Sequence, residues 1–129
     1  MFKKTCLTLF ATAVFATSNA YALCLNISVN RSGTDFAPNT DIVVYGPYNS
    51  SCSGTQSFIF KDLSSRSPVL QHILEKQNGS TWTVVGSSIT YGNGSPSFYA
   101  PTPGTYRYRI ENIGTSVVGT WTVTGKTTL

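Results

Sequence analysis

The sequence predicts an all-β protein: a single antiparallel β-sandwich of about seven to nine strands, held by one disulfide. Two features carry that reading. Short runs alternate apolar and polar residues with a period of two, and Gly, Pro, Asn and Ser break them at the roughly 8–12-residue spacing of sandwiches and barrels. In addition, two cysteines, Cys24 and Cys52, lie in a chain whose first residues mark it for export.

Met1-Phe2-Lys3-Lys4 is a short basic region and Leu7 to Thr17 an apolar run. Ala20-Tyr21-Ala22 then fits the small-x-small rule of signal peptidase. The run is shorter than the about 20 residues that span a bilayer. A cleaved signal is therefore expected over residues 1–22, one domain over 23–129, no membrane span in the mature chain, and a secreted or periplasmic destination. Lipidation of Cys24 is disfavoured because Leu23 is not small. The whole chain carries nine Lys and Arg against five Asp and Glu, a net charge of +4. Loss of Lys3 and Lys4 lowers this to about +2. No basic cluster forms in sequence, so nucleic acid is not an expected partner. A Cys24–Cys52 bond would close a loop of about 30 residues, worth about 3.5 kcal/mol in the chain-entropy model. A redox or metal role for the pair lacks both CxxC spacing and a nearby His.

The elements follow in order. Leu23, Leu25, Ile27 and Val29 alternate with Cys24, Asn26 and Ser28 as a first strand, and RSGTDFAPN is a loop. TDIVVYG is a second strand ended by Gly46-Pro47, and YNSSCSGTQ is a polar loop. SFIFKD is a third strand with Phe58 and Phe60 on one face. SPVLQHILEKQNG reads two ways. Val69, Leu70, Ile73 and Leu74 have helical spacing, with Ser67 as N-cap and Pro68 at the first helical position. The same residues also form a strand that turns at Asn78-Gly79 into STWTVV, and the β neighbourhood favours this strand. STWTVVGSS, SFYA, TYRYRIEN and SVVGTWTVT supply the rest. Tyr106, Tyr108, Ile110, Val117, Trp121 and Val123 are expected in the core, as is Trp82, which shares a face with Val84.

From LEKQNGSTWTVVGSS to SFYAPTPGTYRYRIENIG, about residues 69–124, the chain resembles bacterial immunoglobulin-like and fibronectin-III-like modules. Gly104-x-Tyr106-x-Tyr108 resembles their tyrosine corner, in which a Tyr hydroxyl bonds back to the preceding turn. The resemblance implies an immunoglobulin-like sandwich and no particular function. Tyr108 stands where an antibody domain has its second cysteine, so the usual inter-sheet disulfide is missing.

Catalytic chemistry finds little footing. The one histidine, His72, is expected as an edge or surface residue. The acids Asp35, Asp41, Asp62, Glu75 and Glu111 form no pair within one element, and no calcium-loop or phosphate-loop pattern occurs. No catalytic residue, metal site or cofactor is assigned. The expected function is that of a secreted, non-catalytic module binding a cell-surface or extracellular glycan or protein, as in adhesion. A pilin-like structural subunit and a small hydrolase or toxin are the alternatives. The candidate binding face is a hairpin of residues 105–111 and 117–124, which would place Arg107 and Arg109 beside Thr120, Thr122 and Thr124. Such a surface suits an anionic glycan or an acidic partner. Glu111 would counter it by pairing with Arg109.

Overall fold

A computed structural model of the protein describes residues 24–128. The expected signal peptide, and Leu23 at the start of the expected first strand, lie outside the described residues. Eight strands follow one another: β1 (Asn26–Gly33), β2 (Asp41–Ser50), β3 (Gly54–Asp62), β4 (Val69–Asn78), β5 (Thr81–Tyr91), β6 (Ser97–Ala100), β7 (Gly104–Asn112) and β8 (Trp121–Thr128). They make two antiparallel four-stranded sheets, ordered β1-β8-β3-β6 and β2-β7-β4-β5.

This is the expected sandwich, and Cys24 and Cys52 are bonded with Cα atoms 5.8 Å apart. The strand order has its own logic. β1 pairs with β8, β2 with β7, β3 with β6 and β4 with β5. The chain is therefore one long hairpin, with its tip at Gly79-Ser80, rolled up until β3 meets β8 and β4 meets β7. That is the jelly-roll form of sandwich. In the immunoglobulin order, by contrast, the first strand lies beside the second. Here every connection except the tip crosses from one sheet to the other.

The tip explains why 69–78 is a strand. Asn78 faces Thr81 across a two-residue turn, and Gly79 takes φ +63°, which a glycine adopts without steric cost. β4 then satisfies its backbone on both sides, against β5 and β7, and its apolar residues are covered by the opposing sheet. The tertiary partners override the helical spacing.

The core lies between the sheets. Phe58, Phe60, Leu70, Leu74, Tyr106, Tyr108, Ile110, Val118 and Val123 are fully buried, and Trp121 nearly so. Val117 is a correction: it is half-buried, and Val118 takes the core position. The alternation of β8 does not extend back to it. β8 begins at Trp121, and Val118 instead exchanges backbone bonds with Phe36, 2.9 Å each way, in the crossing segment. The first strand is likewise displaced along the chain, with Leu25 exposed and Val29 buried. β2 continues through Gly46-Pro47 to Ser50 by shifting its register against β7. The tyrosine corner is present: the Tyr106 hydroxyl donates to the Thr102 carbonyl.

Candidate functional site

The expected hairpin of β7 with β8 does not exist. After Asn112 the chain crosses between the sheets, so β7 lies between β2 and β4 while β8 lies between β1 and β3. Arg107 and Arg109 consequently sit on one outer face of the molecule. Thr122 and Thr124 sit on the opposite one, and Thr120 precedes β8 altogether. Arg107, Arg109, Thr120 and Thr122 do not form one surface.

What surrounds the arginines is a charge network. The cross-strand partners of Arg107 and Arg109 on β4 are Glu75 and Ile73, and Asp41 on β2 lies opposite Glu111. Glu75 Oε1 accepts from Arg107 Nε at 3.1 Å and from Arg109 Nε at 2.8 Å. Arg109 also donates to Asp41 Oδ2 at 3.2 Å and lies 3.6 Å from Glu111, the pairing expected from sequence. Burial pushes the Glu75 carboxyl up, but hydrogen bonds and charge from both arginines more than reverse this and hold it below its ordinary value. Two guanidinium groups thus meet three carboxylates, a net charge of −1. The arginine charges are spent within the face.

Trp82 is a second correction. Its indole lies on this outer face, half-buried, with the Arg107 guanidinium 4.2 Å from the ring centroid. The cause is a register shift in which Leu74 pairs with Gly86 but Glu75 with Val84. Val85, skipped by the ladder, packs toward the core, and Val84 and Trp82 face outward. Down the same face of β5 run Val84 (54% exposed), Ile89 (52%) and Tyr91 (76%). Among the described strands β5 pairs only with β4, which leaves it at the edge of its sheet. Sequence reasoning missed this apolar row; the adjacent valines before Gly86, where a strict alternation must slip, were its one local signal.

His72 is a third correction. It is fully buried on the inner face of β4, with Nδ1 2.6 Å from the Tyr108 hydroxyl and Nε2 2.7 Å from Thr90 Oγ1. Thr90 Oγ1 donates onward to the Gly92 carbonyl, so Nε2–H donates to Thr90 and the Tyr108 hydroxyl donates to Nδ1. Burial lowers its pKa to about 4. The ring is a neutral, fully committed core group. Among the described residues no three His, Cys, Asp or Glu side chains gather as a metal site would require.

No protein-family model matches the sequence, and no curated protein matches it. Solved structures do. The Yersinia pseudotuberculosis-derived mitogen superposes with TM-score 0.57 at 12% identity, covering 78% of this chain and 86% of its own. A structure of Bacillus endospore appendages, which form disulfide-linked pili, gives 0.54 at 18% identity and 99% coverage of both chains. PirA gives 0.51 at 15%, covering 76% and 92%. The likeness is one of fold.

Proposed function

We propose that the protein is an exported, non-catalytic sandwich module that docks onto another protein through the outer face of its β2-β7-β4-β5 sheet, as a subunit of a surface assembly. The observation that carries this reading is the row Val84, Ile89 and Tyr91 on the exposed edge strand β5, with Val43 exposed across the same face. Edge strands are usually blunted by charge, and a row of large apolar side chains there favours a protein contact. The pilus-forming appendages lend support, since the likeness runs the full length of both chains. In this protein Cys24 and Cys52 are joined within one chain, so the contact between proteins would be non-covalent.

The binding of an anionic glycan by Arg107, Arg109, Thr120 and Thr122 draws no support from this arrangement, because the arginines are neutralised and the threonines face elsewhere. Catalysis by His72 is equally unsupported, with both ring nitrogens committed inside the core. The test is the triple variant Val84→Ser, Ile89→Ser, Tyr91→Ser in exporting cells. Surface retention by immunolabelling and association by light scattering should both fall, with the thermal melt unchanged. A variant that matches the natural protein in both assays would sink the reading.

A further inference from the structure

We infer that the partner docked on this face is a second copy of the chain, presenting its opposite face, so that copies stack head to tail. The inference rests on the docking reading above and adds the partner. It starts from what each outer face shows to water. On the β2-β7-β4-β5 face the arginines are sunk, with side chains 24% and 18% exposed, while Asp41 and Glu111 stand out at 55% and 39%. The charge met by an approaching surface is carboxylate.

The β1-β8-β3-β6 face is the complement. Its outward positions carry Lys61 on β3 and Lys126 on β8 and no Asp or Glu. The rest is hydroxyl and amide, with Ile59 exposed near the centre and Tyr99 on the edge strand. Between Ile59 and Lys126 lies a shallow groove of about 470 Å³, floored by the backbone at Gly125. One face therefore offers an apolar row on its edge strand with carboxylates on the two far strands, and the other an apolar-centred groove lined by Lys126, with Lys61 further along β3.

Symmetry then decides the form of the contact. Like faces meeting about a two-fold axis would set carboxylate on carboxylate or lysine on lysine, whereas unlike faces bring opposite charges together. A contact between two different faces is heterologous, and on opposite sides of a flat sandwich it repeats without closing. A four-stranded face with strands of about eight residues measures about 27 by 17 Å, so one contact buries about 1,000 Å² over both partners, the low end for specific interfaces. Single contacts are weak, and the stack grows with concentration and shrinks with salt.

Sedimentation velocity of the exported protein, from about 10 to 500 μM in low and high salt, tests this. The natural protein should grow beyond the dimer at low salt and revert at high salt. Asp41→Lys with Glu111→Lys should abolish growth, and so should Lys61→Glu with Lys126→Glu. An equimolar mixture of the two variants should grow again, because each then offers what the other lacks. Asp41→Asn with Glu111→Gln gives a partial loss with less disturbance of Arg109, should the reversal fail to fold. Growth that ignores both reversals, a species that stops at the dimer, or a mixture that fails to co-assemble would overturn the stack. The docking reading would survive each of these results and falls only if the Val84, Ile89 and Tyr91 variant keeps its contacts.

Discussion

Glu75 holds two arginines with one oxygen while being almost wholly buried on a face that is nominally outside. The guanidinium groups and their stems cover it and Ile73 beside it, so charge and packing are satisfied together. Replacing the carboxylate by an amide keeps an acceptor oxygen but removes the charge that both arginines share. Glu75→Gln should cost about 1–3 kcal/mol in chemical denaturation, the range for a charge-assisted buried bond. Arg107→Lys should restore little, since a point ammonium cannot both reach Glu75 and lie flat on Trp82. Trp121 makes a contrasting case. It lies opposite Gly33, where an added Cβ would fall 2.4 Å from its ring, so the indole packs onto bare backbone and seals the end of the core. Trp121→Ala should cost about 3–5 kcal/mol. An unchanged midpoint for Trp121→Ala would mean that the ring carries no packing energy.

At the scale of elements, the segment 101–108 joins a turn to two strands. Tyr106 sits in the core with its ring and ties the Thr102 carbonyl with its hydroxyl, which fixes where the β6–β7 crossing ends. Tyr106→Phe keeps the ring and loses the tie. We expect a loss of about 1–2 kcal/mol and faster exchange confined to the Thr102 and Gly104 amides, the only N–H groups of the 101–104 turn. The corner was legible because all its parts lie within five residues. Individual strands were legible for the same reason: Phe58 and Phe60, or Tyr106, Tyr108 and Ile110, announce a face by spacing alone. The bulge in β5 was not, because it shows only against the register of β4; Trp82 and Val84 do share a face, but it is the outer one. Val117 is only half-buried because the period of β8 does not run back through the crossing segment. The charge network was hidden too, since Asp41, Glu75 and Glu111 come from three strands that meet only through pairing.

The whole molecule is two sheets closed on a polar as well as an apolar interior, and this governs its response to acid. His72 is buried among Tyr108, Thr90 and Phe60, and among the described residues no carboxylate bonds to its ring. Its folded pKa, about 4, lies below the ordinary 6.5, so between these values the unfolded chain binds the extra proton. Stability should be level above about pH 6.5 and fall by about 3 kcal/mol on acidification to about pH 4. Glu75 and Asp62, both held below their ordinary values, add losses only at the acid end of that window and beneath it. Thermal melts of His72→Gln should lose the slope between pH 6.5 and 4 and keep the steeper fall below. The two-sheet architecture was legible from composition and turn spacing, but the sheet order was not. Alternation tells which side of a strand is wet and nothing about which strand lies next to it, and the expected neighbours β7 and β8 lie in different sheets.

The rolled hairpin also sets an order of events. A chain made amino end first delivers β1 early, yet among the described strands β1 pairs with β8 alone, the last of the eight. Until then β1 has no ladder, and topologies so rich in distant contacts fold slowly. The bond from Cys24 to Cys52 needs nothing beyond β2, and so can tether the waiting strand to the start of β3 while the rest is still arriving. Its contribution is then to timing as much as to stability. A Cys24→Ala, Cys52→Ala chain should lose about 3.5 kcal/mol at equilibrium and, in exporting cells, show a longer interval of protease sensitivity before β8 locks in.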